Sequence, residues 1–204
     1  PISVSDKAGV VKEYLGLIGA QYKGDRLYSN QFIGPSSFTL QREHVAERNE
    51  TNNSSLTNIR DNYTVTDKAD GERRLFFISP AGLVYLINTN MKILFTGAKT
   101  EHKLYHNTLL DGEIISHDKH GKYINLFAAF DVYMVNGVDV RAHVFINSDE
   151  LHQQKAADDA GSHLTKNKTR HHILTTVMKA LELVSVVPVS ATTLTEQHSP
   201  LRVS

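Results

Sequence analysis

The chain reads as an α+β protein built on an antiparallel sheet, with peripheral helices. Three observations predict this class. Short apolar runs separated by turn signals fill residues 63–146. These runs follow one another as hairpins, without helical stretches between them. Apolar residues at helical spacing occur only outside that body, near each end.

In chain order, Val10, Val11, Tyr14, Leu15, Leu17 and Ile18 recur at helical spacing and predict a helix over 5–22, with Ser5 and Asp6 as cap. Residues 30–62 are polar and broken. Gly34-Pro35-Ser36-Ser37 signals a turn, 38–48 allows a short helix, and 50–55 is an exposed loop. Strands are expected at 63–66, 75–78, 83–87, 92–96, 108–115 and 123–135. Turns at 79–82 and 117–121 join two pairs of them, and Asn136-Gly137 ends the last. A polar helix is expected over 148–160. A second apolar helix is expected over 169–185, carrying Ile173, Leu174, Val177, Met178, Leu181 and Leu183. Residues 190–204 read as an exposed or truncated end.

Composition narrows the function. The 204 residues carry 22 Lys+Arg against 22 Asp+Glu, so no global basic field marks a dedicated nucleic-acid binder. The absence of cysteine excludes a disulfide framework, cysteine-ligated zinc and a thiol nucleophile. No apolar run approaches the roughly 18 residues of a membrane span, so no membrane partner is expected. No secretory signal pattern is present either. The sequence begins with Pro1, which suggests a piece of a longer chain.

Chemistry concentrates at three places. Lys68-Ala69-Asp70-Gly71-Glu72-Arg73 puts a lysine before a glycine turn at a strand edge. A lysine nucleophile needs a depressed pKa, which desolvation and a nearby cation such as Arg73 provide. Asp70 can hold the turn, and Gly71 lets the backbone bend or approach a ligand closely. Asp111-Gly112-Glu113 interrupts an apolar strand, and Glu113 could hold a metal ion or sugar hydroxyls. Phe130-Asp131 puts an aromatic and a carboxylate on the last long strand, where Phe130 could stack on a purine. Lys7-Ala8-Gly9 and Lys23-Gly24-Asp25-Arg26 carry similar residues in the wrong order. His117, His120, His171 and His172 read as surface histidines.

Together and in this order, these motifs resemble the covalent nucleotidyltransferase superfamily: mRNA capping guanylyltransferases and polynucleotide ligases. Lys68, Asp70, Gly71 and Arg73 match its Lys-x-Asp-Gly-x-Arg motif. Asp111 to Glu113 match its Asp-Gly-Glu strand, and Phe130-Asp131 its aromatic-Asp strand. The wording from Thr66 and Asp67 to Arg73, and that of Phe32 to Leu40, is most similar to capping enzymes of large eukaryotic DNA viruses. The resemblance spans roughly 30–147.

The resemblance implies an antiparallel-sheet nucleotidyltransferase domain, ATP-grasp-like, of the DNA ligase–capping enzyme type. Residues 1–29 would be a leading helix and linker. Residues 30–204 would be the first part of that domain, cut before its last two motifs and before an OB-fold. The acidic-Gly and Lys-x-Lys strands are not found in 141–204, because Lys166-Asn167-Lys168 has no apolar neighbours. The implied activity is transfer of GMP from GTP, with Mg²⁺ (or Mn²⁺), through a phosphoramidate on Lys68 to a 5′-diphosphate RNA end. Thr66, Asp67, Asp70, Gly71, Arg73, Glu113 and Phe130 would bind the nucleotide, and Glu113 the metal. Thr66 stands where ligases often place a glutamate that reads adenine, which leans towards GTP. An ATP-dependent ligase and a non-catalytic scaffold module remain as alternatives. Triphosphatase and methyltransferase domains flanking the piece, and a host-cytoplasmic or virion location, complete the expectation.

Overall fold

The computed structural model describes residues 4–22, 24, 27–47, 58–60, 63–147, 165–166, 168–186 and 201–204. The chain forms two compact units: residues 1–33 with 69–204, and residues 34–68. The leading helix belongs to the same unit as the sheet.

The larger unit is a mixed α/β assembly dominated by an antiparallel sheet. Its strands are β1 (Glu72–Ile78), β2 (Leu83–Asn88), β3 (Ile93–Lys99), β4 (Thr108–His117), β5 (Tyr123–Val135), β6 (Val138–Asp139), β7 (Val184–Ser185) and β8 (Arg202–Val203). The order is β6-β5-β4-β1-β2-β3-β7, and β8 pairs with β5 as the parallel addition. Each expected hairpin is present, with Gly82 at φ 80° closing the first turn and Gly137 at φ 77° the last.

Alternation along the strands splits the core into two layers. Leu75, Phe77, Ile87 and Leu109 face α1 (Val4–Leu17), whose Val10, Val11, Tyr14 and Leu15 are buried against them. Phe76, Ile78, Leu86, Leu110 and Phe127 face α3 (Arg170–Ala180), through Ile173, Leu174 and Val177. A sheet covered on both faces explains why β1 and β2 read as nearly continuous apolar runs.

Both helices are shorter than the apolar spacing suggests. α1 ends where Gly19 adopts φ 73° and Ala20 N–H bonds back to the Leu15 carbonyl. α3 starts at Thr169, whose hydroxyl accepts from His172 N–H, and stops at Ala180. Beyond it, β-branched Val184 joins the edge of β3 instead of continuing the helix. The end of the chain is likewise not simply an exposed tail, because Arg202 and Val203 pair with Leu126 and Phe127. The expected helix at 148–160 and loop at 50–55 lie outside the described residues.

In the smaller unit, one turn of helix, α2 (Arg42–Val45), is clasped by residues 58–60. Ile59 N–H bonds to His44 O, Asn58 Nδ2 to Ala46 O and Arg60 Nε to Val45 O. The strand expected at 63–66 does not form. Residues 63–70 are not in a strand, and Val65 is 95% exposed. The β-propensity of Tyr63 to Thr66 has no partner strand among the described residues to act on.

Gly112 lies where β4 meets β5 most tightly. A Cβ there would stand 2.4 Å from the Ala128 carbonyl oxygen and 2.5 Å from Phe127 Cζ. Gly112→Ala is expected to cost about 3 kcal/mol by overpacking, read as a lower urea midpoint. Gly9→Ala on α1, where an added Cβ meets nothing within 4 Å, is expected to stabilise the fold by about 0.5–1 kcal/mol, read as a higher urea midpoint.

Candidate active site

Arg73, Glu113 and Phe130 come together on the α1 side of the sheet, beyond the end of that helix's cover. Arg73 on β1 is the register partner of Glu113 on β4. Two residues along β4, on the same face, Asp111 receives the guanidinium as a fork. Arg73 Nε donates to Oδ1 at 3.0 Å and Nη2 to Oδ2 at 2.5 Å. Asp111 has no solvent exposure, so its charge is held by pairing. The Tyr133 hydroxyl donates to the same Oδ2 at 2.5 Å.

The site depends on irregularities in β5. The pairing of β4 with β5 shifts between Leu109 and Leu110 and again between Asp111 and Gly112, each time with an extra residue on β5. The extra residues are Tyr133 and Phe130. Such bulges re-aim side chains, and these two bring Tyr133 and Phe130 to Arg73, although an odd spacing would put them on opposite faces of a regular strand. The Arg73 guanidinium lies over the Phe130 ring at 6.0 Å and over Phe32 at 5.4 Å. It is thus stacked by two rings and forked by one carboxylate.

The electrostatics follow from this packing. The Asp111 carboxylate, through its hydrogen bonds, raises the Arg73 pKa above its ordinary value. Burial, reinforced by Asp111, pushes the Tyr133 phenol well above the ordinary 10.0. Glu113 is half-buried, and its Oε2 is a buried oxygen without a hydrogen-bond partner among the described residues. Both Asp111 oxygens are used, whereas Glu113 keeps acceptor capacity at Oε2. A carboxylate with an unengaged oxygen suits a hard cation that completes its shell with water and phosphate oxygens. Among the described residues no cluster of three or more His, Asp or Glu could hold a metal by itself.

The glycines of the two Asp-Gly motifs serve close approach and not left-handed turns. Neither Gly71 nor Gly112 has positive φ. A Cβ on Gly71 would sit 2.6 Å from the Ile114 carbonyl oxygen. Asp70 is exposed just before β1. Lys68, Thr66 and Asp67 belong to the smaller unit, where all three are exposed and Thr66 Oγ1 donates to the Asp67 carbonyl.

Asp131, the register partner of Asp111, is gripped by Arg170 at the start of α3, with Nε to Oδ1 at 2.8 Å. Arg170 also donates to the His143 carbonyl and stacks on Phe145 at 5.4 Å. Neither Arg170, Tyr133 nor Phe32 carries a local sequence signal for this role. Of the three, Phe32 lies in the stretch Phe32 to Leu40 that carries the family resemblance, and the other two depend on bulges and long-range pairing.

The family of the mRNA capping enzyme, catalytic domain, matches residues 15–192. The chain belongs to that family. It is also 33% identical, over 141 residues, to a probable mRNA-capping enzyme of Acanthamoeba polyphaga mimivirus. The aligned part is 69% of this chain and 10% of that relative, so the chain spans about a tenth of the relative's length. The capping-enzyme match encloses every residue of the site, from Phe32 to Arg170. No described helix is long and apolar enough to cross a membrane.

Buried tyrosines give the capping-enzyme domain a testable alkaline limit. Tyr133 and Tyr14 have folded pKa values raised above 10.0, chiefly by burial. The unfolded chain then loses these protons first. Stability is full below pH 10 and falls by about 1.4 kcal/mol per pH unit for each tyrosine above it. Tyr133→Phe is expected to make urea unfolding less steeply dependent on pH in that range, at some loss of stability near neutrality from the broken bond to Asp111.

Proposed function

We propose that this chain is guanylyltransferase machinery of an mRNA capping enzyme, with the ligase-like nucleotidyltransferase fold. The observation that carries the proposal is the meeting of Arg73, Glu113 and Phe130, each from a different family motif, on one sheet face. The family match and the mimivirus relative support the same reading.

In this reading the unprotonated Lys68 amine attacks the α-phosphorus of GTP. A P–N bond forms, the bond to pyrophosphate breaks, and the nitrogen gives up a proton. A terminal phosphate oxygen of a 5′-diphosphate RNA then attacks the same phosphorus. The P–N bond breaks, the amine regains a proton, and GMP passes to the RNA through a new phosphoanhydride. Phe130 stacks on the base, and Arg73 presents a guanidinium of fixed orientation to ribose or phosphate. Thr66, Asp67, Asp70 and Gly71 shape the approach to the nucleotide. Mg²⁺ (or Mn²⁺), bound with the nucleotide, would offset phosphate charge, and Glu113 is the residue present that fits it.

Arg73 acts through its fork, which a lysine cannot reproduce. Incubation with α-phosphate-labelled GTP and Mg²⁺, followed by denaturation, is expected to leave label on the chain. Lys68→Ala should abolish the label, and Arg73→Lys should lower it at least about tenfold, equivalent to some 1.4 kcal/mol. Label from ATP in preference to GTP would replace this reading with that of a ligase. No label from either nucleotide would show that this piece alone lacks a working site, and silence from a piece extended beyond Ser204 as well would leave the scaffold reading in its place.

A further inference from the structure

We propose that the outer arm of the β4–β5 hairpin is a track for the RNA strand, carrying the nucleotides that follow its 5′ end. This rests on the guanylyltransferase reading for the identity of the strand. β4 carries no extra residue along its length, since each register shift with β5 adds the residue to β5. Leu109, Asp111, Glu113, Ile115 and His117 therefore alternate onto one face. That face runs from the core under α1, through the Arg73 site, to the hairpin tip. His117 lies four residues beyond Glu113, roughly 13 Å at the rise of an extended strand.

The tip is cationic and exposed. Lys119 and Lys122 stand on it, and Asp118 is the sole acidic residue between Glu113 and Asp131. The Asp118 Oδ1 oxygen is turned to the backbone, accepting from His120 N–H at 2.8 Å and Lys122 N–H at 3.0 Å. Arg202 on β8 adds an exposed cation beside Leu126 on the same arm. Among the described residues Lys119, Lys122 and Arg202 make no ion pair. Near the tip Tyr123 packs edge-on against His117, ring centroids 5.4 Å apart. Spaced cations with an aromatic ring between them suit a single-stranded phosphate backbone whose bases can stack. In a chain with zero formal net charge, this local excess is the kind of field that a strand could follow.

The test uses fluorescence anisotropy of the whole chain with 5′-diphosphate single-stranded RNAs. One RNA is long enough to reach the tip; the other is a dinucleotide, too short to span the roughly 13 Å from Glu113 to His117. For the long RNA, the double variant Lys119→Ala/Lys122→Ala should weaken binding several-fold. Its slope against log salt should be shallower by about 1.4, the value for two lost contacts to a single strand. The short RNA should bind both proteins equally, and Lys119→Arg/Lys122→Arg should restore the long one. Unchanged long-RNA affinity and slope in the alanine variant, or no RNA binding by the unaltered chain, would overturn the track. Failure of the guanylyltransferase reading is separate: the unaltered chain would take no GTP label while arm-dependent RNA binding persisted.

Discussion

The site depends on one buried ion pair. Asp111 sits without solvent exposure on a central strand, where an unpaired carboxylate would cost several kcal/mol. Arg73 meets that charge with a two-bond fork, and Tyr133 adds a third hydrogen bond. These contacts fix the guanidinium plane, and with it the direction in which Arg73 presents its remaining surface. The rings of Phe32 and Phe130 then close over it. A buried pair is weak evidence for stability, since apolar residues of equal volume often do as well. Its value here is orientation: the position of a charge is set by groups that are themselves packed.

That orientation is obtained by breaking the regularity of β5. A flat, evenly paired strand would send Phe130 and Tyr133 to opposite faces. Two extra residues, one at each of the two register shifts that flank Asp111, return both to the Arg73 face while Val132 stays in the other core layer. Bulges interrupt a ladder, and the interruption is tolerated because β5 is held elsewhere. β4 pairs along it, β8 pairs with Leu126 and Phe127, and Arg170 binds Asp131 between the two bulges.

The sheet was legible from the sequence because its signal is local. Apolar runs such as Leu75–Ile78 and the turn at Gly82 specify strand and hairpin within a few residues. Arg73, Glu113 and Phe130 were legible through the family resemblance, which supplied the link between distant positions. What stayed hidden is what depends on register. Nothing near Tyr133 announces that it will be bulged, or that its hydroxyl will meet Asp111. The helix ends were misjudged for a related reason. Leu181, Leu183 and Val184 continue an apolar pattern, but the edge of β3 takes Val184 as a strand. The strand expected at 63–66 has the propensity without a partner, so propensity alone could not decide it.

The way charge is distributed limits what each residue can contribute to phosphate chemistry. The Arg73–Asp111 pair is neutral as a unit, so towards a triphosphate it acts by shape and hydrogen-bond direction more than by net field. Glu113, beside it, adds negative charge. Taken alone, this face would repel the very group that the proposed reaction brings to it. In the proposed reaction, stabilising charge at the α-phosphorus would therefore come from cations outside the pair, a divalent ion held at Glu113 first among them.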